Sequence, residues 1–275
     1  MMKQKIAILG AGNIGTAIAS GLLESKTIEP GQLVLTRRQT ENLQNYVQQG
    51  VRVTNQNELA LRLCQWLILS VEPHHVDTVL SPLRSLWDPN RHQLISVVSG
   101  LSTAQLRQKT HFDLPIARAM PNTAIGIRQS MTCLCAPSDQ KKALASAALL
   151  FSPLGTTLEI EEELMSSATA LTACGIAFFL RMIRAASQGG VEIGFHPETA
   201  IRMAAQTAKG AADLLLNTGM HPEFEIDRVT TPRGCTIAGL NTMEHEGLSS
   251  AIIKGLVTSS RKADALYCPT EHSHS

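Results

Sequence analysis

Lys5-Ile6-Ala7-Ile8-Leu9-Gly10-Ala11-Gly12-Asn13-Ile14-Gly15-Thr16-Ala17-Ile18-Ala19-Ser20-Gly21-Leu22 decides how this chain folds. Ile6 to Leu9 is an apolar run too short for a helix and β-branched enough to form a buried strand. Gly10-Ala11-Gly12-Asn13-Ile14-Gly15 comes at once, and from Thr16 to Leu23 apolar residues recur at helical spacing. The result is a G-x-G-x-x-G set inside a strand, a turn and a helix. Each glycine answers a steric demand: Gly10 for the tight turn, Gly12 for close approach of backbone to a pyrophosphate, Gly15 for close helix–strand packing. Free amides at the helix start, with the positive end of its dipole, favour a phosphate. Three glycines alone often make only a flexible turn; in this setting they predict a dinucleotide site.

The bulk numbers fit that reading. At 275 residues the chain has room for one large domain or two ordinary ones. With 44% hydrophobic and 17% charged residues it has the composition of a soluble globular protein. A net charge of +1 gives no electrostatic reason to expect nucleic acid or an anionic membrane as a partner. Cys64, Cys133, Cys135, Cys174, Cys235 and Cys268 are scattered, without paired zinc-ligand spacing, so no metal is expected. Reduced, mostly buried thiols in a cytoplasmic protein are the plain expectation. A strand starting within a few residues of Met1 argues against a secretory leader. Ala168 to Leu180 is the most apolar segment, short of the ~20 residues of a spanning helix and closed by Arg181 and Arg184; it reads as a buried core helix.

Beyond the first helix, Leu33-Val34-Leu35 reads as a second strand ending in Thr36-Arg37-Arg38. NAD-binding folds place an acid there for the ribose hydroxyls. Two arginines in its place would bind a 2′-phosphate bidentately, which favours NADP over NAD. Solvated surface arginines would give the same letters. Gln39 to Gln49 reads as a polar helix, Val51 to Val53 as a strand, and Glu58 to Arg62 as a short helix preceded by Asn55 and Asn57. Leu67 to Val71 is a buried strand closed by Glu72-Pro73, then His74 to Leu86 a helix, and Leu94 to Val98 a strand with Ser99-Gly100 at its end. Leu114 to Ala117 leads into Arg118-Ala119-Met120-Pro121-Asn122-Thr123. Strands alternating with helices predict an α/β protein with a Rossmann-type, doubly wound, mostly parallel sheet. Ligands sit beyond the carboxyl ends of such strands, which gathers the residues just named around one crevice.

Met131 to Cys135, Gln140 to Phe151 and Thr156 to Ile160 extend the sheet by strand, helix and strand. After Glu161 the strand signal stops. Glu161-Glu162-Glu163 suits a helix start, Leu164 to Ala186 a long helix broken by Gly189-Gly190, and Pro197 to Leu216 a second one. Pro222 to Arg228, Thr236 to His245 and Leu248 to Ala265 are further helices. The expected domains are therefore residues 1–160 for the dinucleotide and 161–267 as an all-helical substrate and dimerisation domain, with a disordered tail at 268–275. A helix apolar on nearly every face needs cover on all sides. A second copy, interleaving its C-terminal helices, is the expected source.

Acid–base residues are few in the sheet half. His74-His75 sits at the crevice, where a solvated helix start is the plainer role. His196, His221 and His245 read as helix-end or surface residues. The loop Thr230-Thr231-Pro232-Arg233-Gly234-Cys235-Thr236 is the better candidate, because small hydroxyls and free amides at a helix start can receive a carboxylate. A threonine hydroxyl can also bond an imine nitrogen. A protonated imine needs no strong general acid, so positioning carries most of the rate. An ordinary capped helix reads the same.

From residues 4 to 266 the chain resembles the pyrroline-5-carboxylate reductase family, NADPH-dependent enzymes of the last step of proline synthesis. The residues that carry the likeness are Ile8 to Gly15, Arg118 to Thr123, Ala168-Thr169-Ala170-Leu171-Thr172-Ala173-Cys174-Gly175, Ala204 to Ala212, and Val229 to Leu240. The resemblance implies a helix-swapped homodimer, often assembled further into a decamer, and reduction of the cyclic imine 1-pyrroline-5-carboxylate to L-proline. It also exposes departures. The family's Ser-Pro-Gly-Gly-Thr-Thr has Arg233 for a glycine and Cys235 for a threonine. Its Gly-Ser-Gly-Pro turn is Ala173-Cys174-Gly175-Ile176. Glu72 stands for a lysine, Ser166 for a frequent aspartate and Ala124 for a proline. Two alternatives stay open: a paralogue reducing another cyclic imine, or an NADP-binding regulatory protein with little reductase activity.

The expected cofactor site comprises Gly10, Ala11, Gly12, Asn13 and Ile14 at the pyrophosphate, and Thr36, Arg37 and Arg38 at the adenosine 2′-phosphate, with Asn57 in the same set. Ser70, Val71, Glu72, Pro73, Val98, Ser99, Gly100, Met120, Pro121 and Asn122 are expected on the nicotinamide side. Thr230, Thr231, Gly234, Thr172, Cys174 and Gly175 are expected to hold the substrate. Thr236, or less well the Cys235 thiol, is expected to bond the imine nitrogen.

Overall fold

The structure, a computed structural model, describes residues 3–266; the tail expected to be disordered lies outside them. Eight strands form one sheet: β1 (Ile6–Leu9), β2 (Leu33–Thr36), β3 (Arg52–Thr54), β4 (Trp66–Leu69), β5 (Gln93–Ser96), β6 (Ile116–Met120), β7 (Ser130–Cys135) and β8 (Gly155–Glu159). Their order is β3-β2-β1-β4-β5-β6-β7-β8. Every pairing is parallel except β6 with β7. The chain leaves β1 toward β2 and β3 on one side and returns to β4 on the other, so the strand order reverses between β1 and β4. That reversal opens a crevice at the carboxyl ends of these two strands.

β1, β2, β4, β5 and β6 are buried along their whole length, as parallel strands covered on both faces must be. Alternation sends Ile6, Ile8, Ile68 and Ile95 into one apolar layer, and Ala7, Leu9, Leu67, Leu69 and Leu94 into the other. Each fully buried Leu or Ile stabilises the fold by roughly 1.5–3 kcal/mol, so these layers fix the register on which the crevice depends. Cys64, Cys133 and Cys135 are buried free thiols. Burial pushes Cys64 and Cys135 up to about 12, so neither is a nucleophile at neutral pH. Cys174 is half-buried and Cys235 exposed.

The chain forms two compact units. The first runs to Cys174 and takes in the end of the last helix from Ser259; the second is Gly175–Thr258. The second unit is built from the helices Gly175–Glu192, Pro197–Thr218, Pro222–Val229 and Cys235–His245, and from most of Leu248–Ala265. No strand occurs after Glu159 among the described residues.

Four details differ from the sequence reading. Gly189-Gly190 does not break its helix, which runs on to Glu192. A Cβ on Gly190 would lie 3.1 Å from the Ala200 Cβ, so this glycine serves close packing between two helices. Residues 74–86 are not one helix: a 3₁₀ turn at Pro73–His75, an α turn at Val76–Leu80 and a second 3₁₀ stretch at Ser81–Leu86 replace it. Pro82 has no amide to donate to a continuous helix. A helix at Thr103–Thr110 has no counterpart in the reading, although Ser102 and Gln105 form a reciprocal capping box at its start. Finally, the apolar segment belongs to a helical run, Glu162–Glu192, that is long and apolar enough to cross a membrane by length and composition. The single chain covers only 22% of its most apolar window, so within this chain it is not the buried core helix expected.

Candidate functional site

The first unit carries the glycine turn. Gly10 has φ +97°, a left-handed conformation suited to glycine. The amides of Gly10 and Ala11 donate to the Thr36 carbonyl at 3.2 and 2.7 Å, tying the turn to the end of β2. The helix Asn13–Glu24 starts directly after it, with Gly12 as N-cap and no side chain capping it. Its first amides are thus left for another acceptor. A Cβ on Gly15 would lie 2.5 Å from the Gly10 carbonyl oxygen, so this glycine is needed by the protein's own packing. A Cβ on Gly12 would meet no protein atom within 4 Å. The Ser70 hydroxyl, buried under this turn at the end of β4, has no hydrogen-bond partner. Uncapped amides, a glycine that the protein alone does not require and an orphaned hydroxyl together fit a nucleotide pyrophosphate.

Neighbouring strand ends complete the crevice. Ser70 N donates to the Leu9 carbonyl at 2.8 Å and Val97 N to the Leu69 carbonyl at 3.0 Å, which brings the segments from Ser70 and Val98 alongside the glycine turn. Asn57 begins the helix after β3. The two arginines divide their work: Arg37 Nη1 donates to the Ala11 carbonyl at 3.1 Å, whereas exposed Arg38 meets His75 Nε2 at 3.3 Å. Glu72 Oε2 lies 3.4 Å from His74 Nε2. Ligand atoms of Glu72, His74 and His75 all fall within 4.8 Å of one another, on an open surface.

At the end of β6, Asn122 Oδ1 caps the next turn by accepting from Ala124 N at 3.0 Å. Its Nδ2 donates to the Thr172 carbonyl at 3.2 Å. Thr172 lies in a π-helical turn, Thr169–Cys174. The hydroxyls of Thr169 and Thr172 bond the carbonyls four residues back, both at 2.8 Å. Such turns interrupt α-helices chiefly where function asks for it. Thr172 and Cys174 therefore lie on a turn that is bonded to Asn122, while Gly175 opens the next helix.

Sequence reading missed a charge cluster at the start of the helical run, built on the buried Arg118 and the half-buried Glu162. Glu162 Oε1 accepts from Thr103 N at 2.8 Å and from Arg118 Nη1 at 3.0 Å, and its Oε2 accepts from Thr103 Oγ1 at 2.6 Å. Burial works to raise this carboxyl, but the two Thr103 donors and then Arg118 outweigh it and hold Glu162 below the ordinary carboxylate range. Glu162 thus caps the helix Thr103–Thr110 from a distant segment, beyond its part in a local helix start.

In the second unit, Gly234 N donates to the Thr231 carbonyl at 2.9 Å, closing a turn over Pro232 and Arg233. Arg233 takes φ +60°, a conformation a glycine holds freely and an L side chain holds at a cost of roughly 1–2 kcal/mol. Gly234 is the N-cap of the helix Cys235–His245 and supplies no side-chain cap. Cys235 and Thr236 are exposed at its first turn. Thr230 Oγ1 donates to the Ile226 carbonyl at 2.7 Å, which leaves that oxygen only as an acceptor. His196 and His221 are helix N-caps and His245 ends a helix.

Comparison with known proteins identifies the lineage. A family model described as pyrroline-5-carboxylate reductase dimerisation matches residues 162–266, and one described as NADP oxidoreductase, coenzyme F420-dependent, matches residues 5–100. Pyrroline-5-carboxylate reductase 1 of Dictyostelium discoideum is 53% identical over 95% of this chain, which spans half (50%) of that relative's length. Pyrroline-5-carboxylate reductase 2 of the same organism is 48% identical over 94% of this chain and 92% of its own. A crystal structure of Plasmodium falciparum pyrroline carboxylate reductase with NADP bound shares the fold, with a TM-score of 0.87 at 24% identity over 97% of this chain and 99% of that one. With nearly full-length matches and a dimerisation segment of the same description, this chain belongs to the pyrroline-5-carboxylate reductase family.

Proposed function

We propose that this protein reduces 1-pyrroline-5-carboxylate to L-proline with NADPH in preference to NADH. The observation that carries the reading is the uncapped glycine turn at the β1/β4 reversal, in a chain of this family. Bound NADPH supplies a hydride to the imine carbon. The chain has to hold both reactants and manage one proton. Amides of Gly10 to Ile14 face the pyrophosphate; Thr36, Arg37, Arg38 and Asn57 serve the adenosine end, with Arg37 also donating to the Ala11 carbonyl of the turn. Val98 to Gly100 and Met120 to Asn122 border the nicotinamide. Ser70 to Pro73, expected there from the sequence, instead serve the pyrophosphate and adenosine side, a reading supported by the Glu72 carboxylate lying within 4.8 Å of the ring of His75, which meets Arg38. Amides at the start of the helix Cys235–His245, with Thr230, Thr231 and Gly234, receive the substrate carboxylate. Thr172, Cys174 and Gly175 are further substrate residues in this reading. The Thr236 hydroxyl oxygen accepts from the protonated ring nitrogen, and because that proton already activates the imine, orientation contributes most of the rate.

Purified protein should oxidise NADPH only when 1-pyrroline-5-carboxylate is added, and should form proline. Thr236→Ala should lower turnover roughly tenfold or more through the lost hydrogen bond while binding NADPH normally. NADPH binding without turnover in the parent protein would favour the regulatory alternative, and an unimpaired Thr236→Ala variant would remove Thr236 from the site.

In this reading the dinucleotide half closes near residue 160 and the helical half starts at 161, with the matched segment 162–266 in support. The helical half pairs two copies. Phe179, Ile193 and Leu216 are 60%, 77% and 83% exposed in the single chain, more apolar surface than a monomer usually leaves to water. Sedimentation should return at least twice the chain mass; a stable monomer at micromolar concentration would overturn the pairing, and a decamer would extend it. The cytoplasm, which keeps exposed thiols such as Cys235 reduced, is the compartment we infer.

A further inference from the structure

We propose that His75 is a direct ligand of the adenosine 2′-phosphate and, with Arg38, sets the preference for NADP over NAD. The inference deepens the proposed function and rests on it. β2 and β4 flank β1 on opposite sides. Arg38 lies just past the end of β2, and His75 lies in the turn after β4; their side chains meet at 3.3 Å across 37 residues of sequence. An arginine only donates, so His75 Nε2 must accept, which puts the ring proton on Nδ1 as a donor. Arg37 is turned to the Ala11 carbonyl, so the outward-facing pair at this edge of the crevice is Arg38 with His75.

Two neighbours compete for a different assignment. Glu72, His74 and His75 have the spacing of a cation site. The Arg38 guanidinium, 3.3 Å from His75 Nε2, puts a positive charge beside this cluster, which disfavours a cation and attracts an anion. The Glu72 carboxylate would oppose an anion, but it faces His74 at 3.4 Å. A dianionic phosphate beside Arg38 therefore gains a second donor from His75, and a ribose hydroxyl gains far less, because charge-assisted hydrogen bonds are about twice as strong as neutral ones.

The test is calorimetric titration of the intact protein with NADPH and with NADH, without substrate. His75→Ala should weaken NADPH binding about tenfold, the scale of one hydrogen bond to a charged group, and leave NADH within about twofold. His75→Gln, which can still accept from Arg38 and donate onward, should restore most of the NADPH affinity. Equal losses for both nucleotides in His75→Ala, with the parent still preferring NADPH, would overturn this inference alone. A parent protein that binds the two nucleotides equally would overturn the NADPH preference and the inference together.

Discussion

Glu162→Ala should cost this protein about 3 kcal/mol of stability, the lower end of the range for removing one partner of a buried ion pair. Arg118 is 6% exposed and would keep its charge with no carboxylate beside it, while Glu162 itself is 29% exposed, which tempers the loss. The same change strips acceptors from the amide and hydroxyl of Thr103, at the start of a helix that uses them as its cap. Glu162→Gln keeps an oxygen for Thr103 but no charge for Arg118, and should lose about half as much. The linkage has a definite sign. A carboxyl held below its ordinary value contributes stability that is present above about pH 4.5 and disappears as the pH falls through its folded value. Denaturant midpoints of parent and Glu162→Gln should therefore converge in acid and diverge at neutral pH. Since Glu162 leads into the helical run that holds Thr172 against Asn122, turnover should drop together with stability. Parent-like unfolding of Glu162→Ala at pH 7 would show that the cluster carries no net stabilisation.

That cluster also marks where reading the sequence stops. The strand–turn–helix at the start was legible because all its determinants are local: four β-branched or apolar residues, three glycines at fixed offsets, then a helical period. The sheet was legible for the same reason, since each buried strand is a short apolar run closed by a turn residue. Three acidic residues in a row also carry a local meaning, a helix start, and Glu162 does stand in a first turn. Its partners Thr103 and Arg118 are 59 and 44 residues away, and no spacing rule connects them. Gly190 failed for a related reason: next to Gly189 it looks like a break, but its role is set by Ala200 on another helix. The helix Thr103–Thr110 is the opposite case, because Ser102-x-x-Gln105 was there to be read. At the crevice, the residue types and their place at strand ends were legible. The division between Arg37, which braces the turn, and Arg38, which reaches His75, was not, since both letters are the same and only the fold separates them.

Gly12 and Gly10, neighbours in one turn, should answer very differently to substitution. Gly12→Val should fold as the parent does, because its backbone, φ −84° and ψ −157°, suits any residue and its Cβ would meet no protein atom within 4 Å. Its NADPH affinity should nevertheless fall on the order of a hundredfold, since a branched side chain would stand where backbone must approach the pyrophosphate. Gly10→Ala should instead strike stability first. Its Cβ would lie 2.5 Å from the Ser70 carbonyl oxygen and 2.3 Å from Val71 Cγ1, at φ +97°. The methyl of Val71 can rotate away, but the Ser70 backbone is held by its bond to the Leu9 carbonyl. Strain and overpacking together should cost about 3–5 kcal/mol, and binding should fail because the turn itself is displaced. Thermal unfolding and NADPH titration on both variants separate the two effects. A Gly12→Val protein that binds NADPH like the parent would mean that the glycine turn is not the phosphate site, however well it is built. A stable Gly10→Ala protein would mean that the β1/β4 junction has slack that its close contacts do not suggest.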